Sequence, residues 1–353
     1  MTAVQPTLKP ATTGPTFSLL CSAYRCERYL AATIESVLAQ TCPDWELIVV
    51  DNGPSDSVAE IVRRFTGDAR IRLIRQPNNR LIGGIATAAA AASGRYLVPL
   101  DSDDELMPTF CTRMREVLDA RPEIDALSCD VYQFRDGQRS RPGGFLRGPR
   151  GLDRRLTVSD LVGQRDTVPY FAAFRRDAWI TAGGYAPGTD LVEDIALYLR
   201  LVTAGRDVRI LPERLARYRI RLDSASGEPS AAEEFDRRRE QVYTEAARAT
   251  SDPDTLRSLR SGVRSVRYER ALREARRQFA AGDMPGARQA VWEAHRQRAT
   301  LRSTAVLTGL TVAPGALRRI RPAKHRIQRR VQYVASLVGG WRESRARRRQ
   351  PGG

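Results

Sequence analysis

The chain has few cysteines, no hydrophobic run long enough to cross a bilayer and no apolar leader. Its five cysteines (Cys21, Cys26, Cys42, Cys111, Cys129) are odd in number and lack Cys-x-x-Cys spacing. That predicts reduced, mostly packing residues in a cytoplasmic protein, and argues against a metal role for them. The longest late apolar stretch, around residues 305–313, falls far short of the ~20 residues a transmembrane helix needs. Met1 to Pro15 is Thr/Pro-rich without an apolar core segment, which predicts a disordered leader rather than a signal peptide. Acids are also in short supply: 41 Asp+Glu against 58 Lys+Arg give a net charge of +17. Such a balance points to anionic surroundings, whether nucleic acid, an acidic membrane surface or phosphorylated substrates. No helix-turn-helix, zinc or other recognition signature supports nucleic acid, so no such partner is expected.

The basic excess is uneven. Between Arg318 and Arg349 lie twelve basic residues (eleven Arg plus Lys324) against the single acid Glu343, while the first 230 residues are closer to balance. In that tail Ile327, Val331, Val334, Val338 and Trp341 fall at helical spacing beside arginines. The stripe fits a helix lying in an anionic membrane interface, and equally a helix docked on the rest of the protein.

What the sequence does contain is a strand–helix alternation ending in carboxylates. Apolar runs at Phe17–Cys21, Trp45–Val50, Ile71–Ile74 and Tyr96–Leu100 alternate with helical patterns carrying Leu30, Ile34, Val37 and Leu38, then Ser57–Phe65, then Ile82–Ser93. This rhythm predicts an α/β fold with a mostly parallel, Rossmann-like sheet covered on both faces. Ligands of such sheets collect at the carboxyl ends of strands, where Asp51 and Asp101 both fall. Asp101-Ser-Asp103-Asp104 follows the fourth strand, and Asp101 and Asp103 could turn oxygens to one side toward Mg²⁺ or Mn²⁺. The bland alternative is that Asp103, Asp104 and Glu105 cap and charge the next helix.

Farther on, the pattern predicts a helix at Phe110–Ala120, a strand at Ala126–Phe134 and a long Gly/Arg/Pro-rich loop from Arg135 to Arg155. Such a loop suits a substrate lid or a disordered segment. A strand at Tyr170–Arg175, helices at Asp177–Gly184 and Val192–Ala204, and strands at Val208–Leu211 and Ala216–Ile220 complete the domain. After about Glu233 the composition turns to Arg, Ala and Glu, and Val263–Ala281 with Pro285–Arg298 reads as a helical hairpin. The expected organisation is a leader over 1–15, a domain over 16–228, a helical region over 229–302 and a basic amphipathic tail over 303–353.

Several ordered blocks resemble family 2 glycosyltransferases of the GT-A fold. They are Phe17-Ser-Leu-Leu-Cys-Ser-Ala-Tyr24, Tyr29-Leu30, Ser36-Val-Leu-Ala-Gln40-Thr, Glu46-Leu-Ile-Val-Val-Asp51, Asp101-Ser-Asp-Asp104, Phe174-Arg175-Arg176, Gly183-Gly184-Tyr185, Glu193-Asp194 and Tyr218-Arg219. The resemblance spans roughly residues 16–226. It implies an inverting transfer from a nucleotide-sugar donor, a UDP-sugar by default, to a hydroxyl of a glycan or lipid-linked acceptor. It further implies that Ser22, Tyr24, Asp51, Asp101 and Asp103 bind the donor, with Tyr24 beside the base, Asp51 on its ring and Asp101 near the ribose. Arg219 and Arg221 join this donor set, Asp103 holds a Mg²⁺ or Mn²⁺ ion, Asp194 is the general base, and Glu193 and Gly184 lie on the acceptor side.

Plainer readings stand beside these. Tyr24 suits an ordinary strand-end aromatic, Asp51 with Asn52-Gly53 a turn, Glu193-Asp194 a helix-dipole pair, and Arg219 a solvated charge. The chain also departs from the family pattern. Asp51-Asn52-Gly53-Pro54 replaces a common Asp-Asp-Gly-Ser, Ile85-Ala86 stands where Arg-Asn is frequent, and Arg221 stands where many members have a metal-binding His. Arginine cannot ligate a cation, though it can neutralise a diphosphate. The competing reading of the whole is a non-catalytic, nucleotide-sugar-binding scaffold with a basic assembly tail.

Overall fold

A computed structural model describes residues 14–53, 55–136, 151–163, 168–221 and 229–312. Most of the expected leader, most of the Gly/Arg/Pro-rich loop and the amphipathic stripe of the tail lie outside the described residues. The described part falls into two compact units, one reaching Val263 and one starting at Arg264.

The first unit is built on one eight-stranded sheet. Its strands are β1 (Phe17–Ala23), β2 (Trp45–Asn52), β3 (Ile71–Gln76), β4 (Tyr96–Pro99), β5 (Glu105–Leu106), β6 (Ala126–Phe134), β7 (Ala172–Arg175) and β8 (Val208–Arg219). Their order is β3-β2-β1-β4-β7-β6-β8-β5. The β3-β2-β1-β4 ladders are parallel, β7 runs antiparallel to both β4 and β6, and β6 pairs parallel with β8. Every residue of β1 and β2 is buried. This explains why they read as continuous apolar runs instead of alternating ones, since parallel strands are covered on both faces.

Helices α1 (Leu30–Leu38), α2 (Asp56–Arg63), α3 (Arg80–Ala91) and α4 (Phe110–Ala120) join the first strands. After β6 come α5 (Val158–Val162), α6 (Arg176–Thr181) and α7 (Glu193–Thr203), and α8 (Pro229–Ala249) follows the sheet. The α3 helix presses unusually close to β1: a Cβ added at Gly84 would lie 2.1 Å from Ser22 Oγ. At the opposite end of these strands, Glu46 Oε1 accepts hydrogen bonds from Ser18 Oγ (2.6 Å) and from the Ser93 N–H (2.6 Å) and hydroxyl (2.8 Å), tying β1, β2 and the entry to β4 together. All five cysteines are free and buried, as their spacing suggested.

The structure differs from expectation at β8, β5 and α5. The two strands expected at 208–211 and 216–220 are one, β8, with its register against β6 shifted between Cys129 and Val131. Pro212 sits in that irregularity, where a missing N–H costs no ladder bond. The two-residue β5 pairs with Ala216 and Arg217 of β8 and was too short to show a period. The α5 helix does carry a signal: Thr157 and Asp160 form a reciprocal capping box.

In the second unit, the end of α9 (Pro253–Ala281) packs with α10 (Met284–Gln297) and α11 (Leu301–Val312) around Ala275, Ala287, Val291 and Leu310. The Asp283 side chain caps α10 by accepting the Gly286 N–H at 2.9 Å. No described helix is long and apolar enough to cross a membrane.

Candidate active site

The carboxyl ends of β1, β2, β4 and β8 and the N-terminus of α7 carry the residues singled out from the sequence. After β4 the chain makes a tight turn, closed by the Asp104 N–H to the Asp101 carbonyl (3.2 Å), and runs into β5. Because α4 begins only at Phe110, with Thr109 at its cap, Asp103, Asp104 and Glu105 cap no helix. One oxygen from each of Asp101, Asp103 and Asp104 lies within 4.8 Å of the others.

The three carboxylates have different jobs. Asp104 is buried and both its oxygens are engaged: Oδ1 accepts the Arg219 N–H (2.6 Å) and Oδ2 the Tyr170 hydroxyl (2.7 Å). Burial, together with the charges of Asp101 and Asp103, pushes its carboxyl well up from the usual range. Tyr170 Oη also accepts the Asp101 N–H at 3.2 Å, so one phenol pins both ends of the turn. The Asp101 carboxyl is pushed up to about 7 by burial and by the charges of Asp103 and Asp194. Asp103 Oδ2 meets Arg221 Nη1 at 2.8 Å.

Arg219 is held by groups of the protein itself. Its side chain is 7% exposed. Nε donates to the Asp103 carbonyl (2.7 Å), Nη2 to Glu105 (2.8 Å) and Nη1 to Asp136. The guanidinium also lies over the rings of Tyr29 (4.7 Å) and Phe134 (4.4 Å). These contacts make it the clamp that holds the aspartate turn against β8.

On the other side, Tyr24 is 46% exposed at the end of β1, its ring beside Gly53 at the end of β2. Ser22 is packed beneath α3, accepting from Asn52 Nδ2 at 3.3 Å. Asp51 is buried and accepts the Ser55 N–H (3.0 Å) and Arg75 Nε (3.0 Å). Asn52, which stands where the family often has a second aspartate, fastens α3: its amide donates to the Arg80 carbonyl (2.6 Å) and accepts from Gln76 (2.9 Å).

Glu193 and Asp194 open α7, preceded by Leu191 in the left-handed region at φ +73°. Asp194 Oδ1 accepts the Ile195 N–H at 2.7 Å. Burial pushes the Asp194 carboxyl up to about 6. Glu193 is pushed to about 8 by burial and by the charge of Asp194, and its Oε2 is buried without a hydrogen bond. Gly184, at φ +52°, lets the chain turn against the Trp179 indole, whose Nε1 would lie 2.6 Å from an added Cβ. Trp179 in turn packs on Tyr185 (5.2 Å).

Asp101 and Asp103 suit a hard divalent cation: two carboxylates on a rigid turn, with mutual repulsion that a cation relieves. Asp104 is committed elsewhere. The residues that sequence reasoning left out of the site are its fasteners, Tyr170, Tyr29, Glu105 and Asp136. Only Tyr29 gave a hint, through its place in a family block.

Comparison with known proteins agrees with this geometry. Residues 18–181 match the family profile "Glycosyl transferase family 2". These residues form a family 2 glycosyltransferase domain. Among curated relatives, the putative glycosyltransferase EpsE of Bacillus subtilis is 28% identical over 60% of this chain and 74% of its own. EpsJ, an uncharacterized glycosyltransferase of the same organism, is 32% identical over 61% and 64%. The chondroitin synthase of Pasteurella multocida is 28% identical over 54% of this chain, which covers only 19% of that larger protein. Two solved structures share the GT-A fold. Residues 1–349 of S. aureus TarS, in complex with UDP-GlcNAc, superpose with a TM-score of 0.58 at 15% identity, covering 83% of this chain and 84% of that one. The Pyrobaculum calidifontis mannosyltransferase PcManGT, in complex with GDP-Man and Mn²⁺, gives 0.56 at 17% identity over 94% and 88%. The first unit is thus a glycosyltransferase of GT-A fold.

Proposed function

We propose that the protein is an inverting glycosyltransferase that moves a sugar from a nucleotide-sugar donor to an acceptor hydroxyl in bacterial cell-surface glycan synthesis. The observation that carries the reading is the meeting, at the carboxyl end of the sheet, of the Asp101–Asp103 turn with Asp194. Asp101 and Asp194 stand close enough for the charge of one to raise the proton affinity of the other.

In this reading the exposed ring of Tyr24 stacks on the base, with Asp51 at the edge of the base site, and Asp101 faces the ribose. A Mg²⁺ or Mn²⁺ ion held by Asp103 would offset the negative charge that grows on the departing diphosphate. Asp194 takes the proton of the acceptor hydroxyl as its oxygen forms a bond to the anomeric carbon. The bond from that carbon to the phosphate oxygen breaks in the same step, and its electron pair leaves with the diphosphate. Burial suits Asp194 to the task, because a carboxylate raised toward neutrality is a better proton acceptor than an exposed one. Glu193, neutral at pH 7, stands beside it to orient the acceptor, and the Gly184 turn shapes the wall behind them. Much of the remaining acceleration comes from holding donor and acceptor in line.

The names of relatives, "Chondroitin synthase" and "Putative teichuronic acid biosynthesis glycosyltransferase TuaG" among them, support a glycan acceptor, and a lipid-linked one is part of the same proposal. Work at a cytoplasmic membrane surface, with the basic tail as a peripheral attachment, is part of this proposal. UDP-, GDP- and dTDP-sugars incubated with Mn²⁺ and Mg²⁺ test it by release of nucleoside diphosphate. Hydrolysis of one donor is expected. Nucleotide binding without turnover of any donor, even with acceptor glycans present, would instead establish the non-catalytic scaffold.

A further inference from the structure

The Asp103–Arg221 pair lies where a metal ligand is needed. Arg221 Nη1 is 2.8 Å from Asp103 Oδ2, and the two side chains are only 18% and 23% exposed. The guanidinium also rests over the Tyr29 ring at 4.9 Å, beside Arg219 over the same ring at 4.7 Å. Arg219 is bonded to a carbonyl and two carboxylates that form the frame of the turn. Arg221 follows the end of β8 and sets its charge against the oxygen a cation would take.

A guanidinium has donors only and cannot join a metal shell. A divalent ion at Asp103 must therefore share the carboxylate with a like charge at close range or drive Arg221 away. Once displaced, the arginine can turn to the diphosphate of a nucleotide sugar, whose oxygens suit its planar fork.

We propose that Arg221 is an internal counter-cation for Asp103, which a divalent metal displaces and the donor diphosphate receives, so that this side chain adds to the cooperativity between metal and nucleotide. The proposal rests on the donor-site reading above. Without nucleotide, Arg221 keeps Asp103 neutralised and metal affinity low. With nucleotide, the arginine has a second anion to hold and the metal gains Asp103. By linkage, metal must strengthen nucleotide binding by the same factor.

Free Mn²⁺, followed by its electron paramagnetic resonance signal during titration of the full-length protein, tests this with and without UDP, GDP or dTDP, each corrected by a protein-free titration for the Mn²⁺ that the nucleotide itself binds. In the wild type, nucleotide should tighten Mn²⁺ binding by about tenfold or more, within the usual range of coupling between sites. Arg221→Gln should bind Mn²⁺ about tenfold more tightly than wild type without nucleotide, so that nucleotide adds less to Mn²⁺ affinity in the variant than in the wild type. Arg221→Lys keeps the charge and should bind Mn²⁺ as weakly as wild type, which separates loss of charge from damage to the fold. Equal nucleotide-free Mn²⁺ affinity in wild type and Arg221→Gln overturns the proposal, and nucleotide binding retained by both then leaves the donor-site reading standing. If the wild type binds none of UDP, GDP and dTDP at any Mn²⁺ concentration, the donor-site reading falls and this proposal with it.

Discussion

Replacing Asp194 with asparagine should inactivate the enzyme and stabilise it at the same time. Asparagine keeps the shape and the Oδ1 that accepts the Ile195 N–H, so the start of α7 has no reason to change. It cannot accept the acceptor's proton, and loss of a positioned base costs ~10²–10⁴ in turnover, roughly 3–5 kcal/mol of barrier. Stability moves the other way. In the fold the Asp194 carboxyl titrates at about 6 instead of its ordinary 3.8, because burial disfavours the anion. The native state therefore holds a proton that the unfolded chain releases. The wild type loses stability as pH rises through that window, and above it carries the full cost, at most roughly 3 kcal/mol. The asparagine in Asp194→Asn does not titrate, so the melting-temperature gap between variant and wild type should open between about pH 4 and pH 6 and then level off. Nucleotide affinity should stay within a few fold of wild type. Thermal melts from pH 4 to pH 8, beside single-turnover transfer assays, give both readouts. Unchanged transfer would move the base elsewhere, though Glu193, neutral near pH 7, is poorly suited to the role. A gap that does not vary with pH would refute the burial argument.

Three further outcomes follow. Tyr24→Ala should weaken nucleotide binding by about tenfold, since base–aromatic stacking is worth ~1–3 kcal/mol, while leaving the denaturation midpoint nearly unchanged because the ring is half exposed; unaltered binding by calorimetry would remove Tyr24 from the base site. Gly84→Ala puts a methyl 2.1 Å from Ser22 Oγ and should destabilise the protein by about 1–3 kcal/mol through overpacking, more than the gain of up to ~1 kcal/mol in helix propensity. A more stable variant in urea would mean that α3 does not sit this close to β1. Full-length protein should co-sediment with anionic vesicles at low salt and release at high salt, and deletion of residues 318–353 should abolish this; vesicle binding that survives the deletion would place the contact elsewhere.

The parts of the fold that were legible in the sequence are those in which local pattern and burial agree. The β1 and β2 strands read as unbroken apolar runs because both faces are covered, and α4 and β6 begin and end where their periodicity does. The β8 strand reads as two, at 208–211 and 216–220, because the residues from Pro212 to Leu215 interrupt the local pattern, while in the sheet they span an irregularity in the ladder with β6. The β5 strand has no pattern of its own and exists only because β8 supplies a partner. The candidate site divides in the same way. Carboxylates at strand ends announce themselves, since a strand that ends in Asp-x-Asp is unusual composition. Their partners do not: Arg221 reaches Asp103 across 118 positions and Arg219 reaches Glu105 across 114. No local rule carries information over that distance.

This division explains why the partners of Arg219 are not legible in the sequence while the position of Asp103 is. An arginine at the end of a strand can face solvent, a phosphate or its own protein's acids, and composition is the same in all three cases. What decides is the set of competing anions nearby, and here Glu105 and Asp136 converge on Arg219 from β5 and from just past the end of β6. The aspartates face the opposite constraint. Asp101 and Asp104 on the β4 turn, and Glu193 and Asp194 on α7, are all raised above the ordinary carboxylate range by burial in one neighbourhood. A fold selected for stability alone has little reason to gather four acids whose ionisation works against it. A site that must hold a cation and accept a proton needs that arrangement, because relief arrives only when the ligand does.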